Sequence, residues 1–147
     1  MKNNSALFYT CSLIEFIGRQ QKQRRSELIQ LMGKETIDRI YRYADVFHCE
    51  PIEKTADDFI VNLSIPKGHF DNVADCRYTV PDYWTIGEVY ERLIEDVAGD
   101  DEEHIIDCLM EIYASWIDAA ISNYNTDFYY QSRDYIYECY KEGTVLE

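Results

Sequence analysis

No apolar run in this sequence approaches the roughly 20 residues needed to cross a bilayer. The opening Met1-Lys2-Asn3-Asn4 leads into an apolar stretch without an A-x-A-like cleavage site. Both absences predict a cytoplasmic protein with no membrane partner. C-x-x-C is missing too: Cys11, Cys49, Cys76, Cys108 and Cys139 are odd in number and evenly scattered. That pattern argues against a disulfide framework and a zinc knuckle, and predicts reduced thiols that mostly fill core. G-x-x-x-x-G-K-[ST], G-x-G-x-x-G, H-E-x-x-H and G-x-S-x-G do not occur, which removes the commonest nucleotide, zincin and hydrolase readings. With no internal repeat and no low-complexity linker, residues 1–147 read as one domain.

Basic residues are scarce as well, at 14 Lys and Arg against 28 Asp and Glu, for a net charge of −14. The deficit is uneven. Residues 1–43 hold eight basic and four acidic side chains, whereas residues 44–147 hold six and twenty-four, so the two parts carry +4 and −18. The acidic part repels phosphate backbones and anionic membranes, leaving only the basic part for direct nucleic-acid contact. What the chain has in quantity is apolar and aromatic material, 46% and 14%, enough to build a core where a disordered chain of this charge would be short of rings.

The apolar spacing predicts a mainly α, single compact multi-helix domain with an irregular central connection. A first helix over 5–19 places Leu7, Phe8, Cys11, Leu13, Ile14, Phe16 and Ile17 around almost the whole circumference, leaving little but Ser12 and Glu15 for water. Gly18 and the polar run after it end or fray that helix, Ser26 caps a short one to Met32, and Gly33 closes it. Thr36 opens a third, and Glu50-Pro51 starts a fourth with Ile52, Ala56, Phe59, Ile60 and Leu63 on one face. Residues 64–84 read as an ordered connection holding a short strand, 76–80. Thr85-Ile86-Gly87-Glu88 matches a capping box, with Gly99 ending the helix that it opens. The acidic turn Asp100 to Glu103 then leads into the longest helix, to about Tyr124, and Thr126 or Asp127 caps a last one over 128–141.

Three constellations are candidates for chemistry. His104, Asp107, Cys108 and Glu111 at i, i+3, i+4 and i+7 place metal-ligand types on one helix face, but they also belong to a polar stripe with Ser115, Asp118 and Ser122 that an amphipathic helix shows to water. The E-x-x-H pairs of a di-metal bundle are missing, so no metal and no cofactor is expected. His48-Cys49-Glu50 contains the H-x-E of zinc deaminases without the P-C-x-x-C that completes their site. A cysteine or metal enzyme centred on Cys49 or His104 stays as an alternative. Finally, 24–32, Gly33 and 36–43 have the layout of a helix-turn-helix, with Arg24, Arg25, Lys34, Arg39 and Arg42 as phosphate contacts. Lys34 and Arg39, however, fall where such motifs need apolar side chains.

The C-terminal third concentrates Tyr124, Tyr129, Tyr130, Tyr135, Tyr137 and Tyr140 among Asp127, Asp134, Glu138 and Glu142. Such a row is either a core edge or a recognition surface. The segments 8–19, 44–50 and 70–74 (Phe8-Tyr9-Thr10-Cys11 onward, Ala44-Asp45-Val46-Phe47-His48-Cys49-Glu50 and Phe70-Asp71-Asn72-Val73-Ala74) resemble small uncharacterised bacterial proteins of mobile loci that encode toxin-like and antitoxin-like partners. The resemblance covers roughly the first hundred residues and implies no catalytic residue. The leading expectation is a non-enzymatic module, antitoxin-like or inhibitory, that occludes a basic protein partner. Asp100, Asp101, Glu102 and Glu103 would steer the encounter and Tyr129, Tyr130, Tyr137 and Tyr140 would supply contact area. The alternatives are a DNA-associated regulator and a small metal- or cysteine-dependent enzyme, and self-association into a homo-oligomer is left open.

Overall fold

A computed structural model describes residues 4–147 of the chain. Its first helix, α1 (Ser5–Gln21), opens where the Asn4 side chain accepts the Leu7 N–H at 2.9 Å. Gly18 does not end it. The helix continues to Gln21 and stops at Lys22, which takes a left-handed conformation with φ 51° while its N–H bonds the Gly18 carbonyl. Then follow α2 (Arg25–Met32), α3 (Lys34–Arg42), α4 (Ala44–Phe47) and α5 (Ile52–Asn62). Only Gly33, at φ 83°, separates α2 from α3, a conformation that an L side chain resists.

After the 63–82 connection come α6 (Tyr83–Ala98), a 3₁₀ turn Glu102–His104, α7 (Ile105–Ala114), α8 (Ile117–Ser122), a second 3₁₀ turn Phe128–Tyr130 and α9 (Arg133–Glu142). The described residues contain nine α-helices and no strand, in one compact domain. The short strand expected at 76–80 is therefore corrected: those residues are bends and irregular backbone, held by Asn125, which accepts the Arg77 N–H at 2.7 Å and donates to the Asp75 carbonyl at 3.1 Å.

Two further boundaries differ from the sequence expectation. α6 starts a turn earlier than the capping box suggested, because Asp82 is the cap and accepts the Thr85 N–H at 2.7 Å. The long helix to Tyr124 is broken at Ser115, whose extended backbone (ψ 173°) separates α7 from α8. The Ser115 hydroxyl donates to the Ile112 carbonyl at 2.7 Å and accepts the Ile117 N–H at 3.4 Å, so a serine offers both new helix ends a partner. Likewise the last segment is a 3₁₀ turn followed by α9, capped by Ser132 rather than by Thr126 or Asp127.

α1 sits at the centre. Leu7, Cys11, Leu13, Ile14 and Ile17 are fully buried, and full burial of one such aliphatic side chain contributes about 1.5–3 kcal/mol. Its main partner is α6, with α2, α3, α4 and α5 packed around its other sides. The α1–α6 crossing is close at Gly87, where an added Cβ would lie 2.9 Å from both Cα and N of Ser12.

Candidate functional site

The two α1 residues expected to face water do not. Ser12 and Glu15 are both buried, because helices cover α1 on every side. Glu15 instead anchors a buried charged cluster. Arg25, at the start of α2 and only 4% exposed, donates from Nε to Glu15 Oε1 at 2.5 Å, from Nη1 to Asp118 at 3.0 Å and Ser122 at 2.6 Å, and from Nη2 to the Tyr124 hydroxyl at 2.8 Å. Arg19 closes the other side, 2.7 Å from Glu15 Oε2. Tyr90 donates to Asp118, lies beneath the Arg25 guanidinium and stacks on Tyr113 with ring centroids 4.1 Å apart.

Burial alone would push the Glu15 carboxyl up, yet Arg25 and Arg19 together hold it below its ordinary value. Burial acts against the Arg25 charge too, and Glu15 with its other partners outweighs it, so the guanidinium stays charged. Burial and the neighbouring Asp118 hold the Tyr90 phenol well above its ordinary range. The 63–82 connection seals the cluster: Asn72 donates to the Ser122 carbonyl at 2.9 Å, Lys22 meets Asp71 at 2.8 Å, and the Phe70 ring carries the Arg24 guanidinium 4.5 Å above it. The cavity left beside Glu15 and Arg25 measures about 10 Å³, too small for a substrate.

This cluster removes Arg25 from the expected phosphate-contact set. Arg25 is enclosed in the core and cannot reach a nucleic acid. Lys34 is engaged by Asp107 and Arg42 by Asp38 at 2.9 Å, while Arg39 lies over the Phe59 ring at 5.9 Å. The cluster also corrects the polar stripe. His104, Asp107, Glu111 and Ser115 keep at least partial contact with solvent, but the break at Ser115 turns Asp118 and Ser122 inward onto Arg25.

Two of the metal-ligand candidates on α7 and the preceding turn are engaged elsewhere. His104 Nδ1 lies 2.6 Å from Asp101, which raises the imidazole pKa, and Asp107 belongs to Lys34. No group of three or more His, Cys, Asp and Glu converges in a metal-binding arrangement among the described residues. All five cysteines are free thiols. Cys11 and Cys139 are buried, Cys76 and Cys108 half-buried and Cys49 exposed, so filling the core describes only the first two fully. Burial pushes the Cys11 thiol up to about 12 and also raises that of Cys108, the opposite of an activated nucleophile.

Asp100, Asp101 and Glu102 open onto a hollow of about 220 Å³ at the end of α6, shared with Glu95, Asp96 and Arg133, and Glu103 is exposed beside it. Arg133 reaches across from α9 to Glu95 at 3.2 Å and Asp96 at 3.0 Å. One turn back on α6, Glu91 is 5% exposed, and burial followed by the adjacent Glu95 raises its carboxyl to about 8. Sequence reasoning missed this pair, although the i, i+4 spacing of Glu91 and Glu95 was its available signal.

The tyrosines divide between sites. Tyr129 and Tyr130 pack edge to face at 5.0 Å and wall a hollow of about 190 Å³ with Arg92 and Arg133; Tyr130 is exposed and Tyr129 half-buried. Tyr137 and Tyr140 lie on a different face of the C-terminal region, around a hollow of about 420 Å³ shared with Val97, Trp116 and Lys141. Tyr124 is buried in the charged cluster. Neither tyrosine pair shares its hollow with Asp100 to Glu103, although Arg133 lines both the Tyr129 and Tyr130 hollow and the acidic one.

Trp116 adds what the sequence reading overlooked. It borders the Tyr137 and Tyr140 hollow on one side and, on the other, a groove of about 800 Å³ between α8 and the C-terminal residues 143–147. No helix among the described residues is long and apolar enough to cross a membrane. Neither a protein-family model, nor a curated protein, nor a solved structure matches the chain.

Proposed function

We propose that this chain is a non-enzymatic, acidic protein-binding module that occludes a basic protein partner, in the manner of an inhibitor or antitoxin. The observation that carries the reading is the position of Trp116, 36% exposed and common to two adjoining hollows, so that aromatic contact area runs from Tyr137 and Tyr140 across to the groove along α8. Trp and Tyr dominate the residues that carry binding energy in interfaces, since they bury large rigid area at small entropic cost. A net charge of −14 selects the sign of the partner. Exposed carboxylates such as Asp100 and Glu103 then act at a distance, accelerating encounter with a cationic surface rather than forming its centre. The titratable groups that do converge, around Arg25, satisfy one another and serve the fold.

The test is binding of the purified chain to a panel of basic proteins and size-matched acidic ones, at about 0.05 M and about 0.5 M salt, where screening lengths differ severalfold. The reading expects basic members to bind, to weaken at high salt and to be lost on Trp116→Ala. Binding that ignores both salt and partner charge would overturn it.

A further inference from the structure

The groove beside Trp116 is lined by Ala119, Ala120, Phe128, Tyr135 and Leu146, an apolar floor of a size that ligand sites commonly have. One wall is the C-terminal segment, fastened where the Tyr135 hydroxyl donates to the Leu146 carbonyl and the Leu146 N–H meets Cys139 Sγ at 3.4 Å. Asp127 and Glu147 also line it, and no Lys or Arg does among the described residues. Both carboxylates act on the Tyr135 phenol, which burial and Cys139 already push up, and Tyr135 itself lines the groove.

We infer that this groove holds a short apolar segment of the partner, flanked by a lysine or arginine that meets Asp127 and Glu147. The apolar floor calls for aliphatic or aromatic side chains, and the carboxylate rim, without a cation of its own, calls for positive charge. A second copy of this chain fits poorly, because it brings another −14 against a rim that is already negative. Nucleic acid fits worse, since no cation lines the groove to meet phosphate. The inference rests on the protein-binding reading above and specifies where and how its partner is held.

The experiment titrates the isotope-labelled full chain with three capped pentapeptides, Lys-Leu-Leu-Leu-Lys, Glu-Leu-Leu-Leu-Glu and Lys-Ser-Ser-Ser-Lys, following amide and indole resonances. The expected result is that only the first peptide shifts resonances of residues 116–128 and 143–147. Ala119→Trp, which fills the groove from an exposed position, then weakens that peptide by about tenfold or more, and so does Asp127→Lys combined with Glu147→Lys. Shifts confined to the Asp100–Glu103 corner, or an affinity untouched by both variants, overturn the groove while leaving the acidic-module reading intact. Equal binding of the Glu-flanked peptide overturns the charge argument, and equal binding of the Ser peptide overturns the apolar one. If no basic protein or peptide binds anywhere, both readings fail together.

Discussion

Arg25 and Glu15 meet at 2.5 Å in the interior, each only 4% exposed, at the N-terminal end of α2 and the middle of α1. A buried pair of this kind adds little net stability over an apolar replacement, but losing one partner strands the other charge in the core. Arg25→Met is therefore expected to cost about 3–5 kcal/mol, measured by urea unfolding. Replacing Glu15, Arg25 and Asp118 together with apolar residues should cost less than Arg25→Met alone. A single variant that matches the wild type would remove the cluster from its role in holding α1, α2 and α8 together.

At the α1–α6 crossing, Gly87→Ala puts a methyl group 2.9 Å from the Ser12 backbone. Because the obstruction includes main chain, Ser12→Ala cannot relieve it. We expect a loss of about 1–3 kcal/mol for Gly87→Ala, with or without Ser12→Ala, read as a lower urea midpoint at unchanged slope. Ser12→Ala alone should be neutral or mildly stabilising, since the Ser12 hydroxyl has no hydrogen-bond partner among the described residues.

Glu91 sets a pH dependence of definite sign. Its carboxyl titrates near 8 in the folded chain, against an ordinary 4.5, so between those values the native state holds a proton that the unfolded chain has released. Stability from this group declines as pH rises through that window and reaches its floor above about 8. Thermal midpoints between those pH values should fall less in Glu91→Gln than in the wild type. An identical slope in both would show that Glu91 does not hold the proton. Glu15, depressed by Arg25 and Arg19, works in the opposite sense: its contribution is present above the ordinary carboxylate value and is lost on acidification.

Asp82→Ala tests the start of α6. With Asp82 rather than Thr85 as the cap, its removal should cost about 1 kcal/mol, and Thr85→Ala should cost less. Comparable chemical denaturation of both variants distinguishes the two starts.

The helices were legible in the sequence because their apolar positions recur at helical spacing and three of their stops are glycines with positive φ: Gly33 and Gly99 close α2 and α6 as expected, and Gly143 closes α9. What escaped were choices made by tertiary contacts. Ser12 and Glu15 form the polar edge of α1 by local pattern, and only the helices packed around α1 make that edge interior. Asp118 and Ser122 continue the α7 stripe in sequence, and it takes the turn at Ser115 to redirect them. Gly18 looked like a helix stop, but it lies within α1, where a Cβ would make ordinary contact with Gln23 and Leu28, and a non-glycine, Lys22, adopts the left-handed cap. At the surface, phenolic rings and carboxylates were read together because they are neighbours along the chain. A helix sends Tyr137 and Tyr140 to one side, while the turn before it keeps Tyr129 and Tyr130 on another. Trp116 passed unnoticed as one apolar position among many on a helix expected to run straight.

The cluster around Arg25 joins residues from the first 25 positions to residues beyond 117, with Tyr124 bonded to Glu15 across 109 positions. During synthesis the central helix therefore emerges long before the groups that complete its buried charged cluster. Until Tyr83–Ala98 has been made, α1 lacks its covering from α6, and until Asp118 and Tyr124 follow, Arg25 lacks two of its counter-groups. Closure of the core around Arg25 is consequently a late event, and a chain stopped before Asp118 strands that guanidinium without its distant partners.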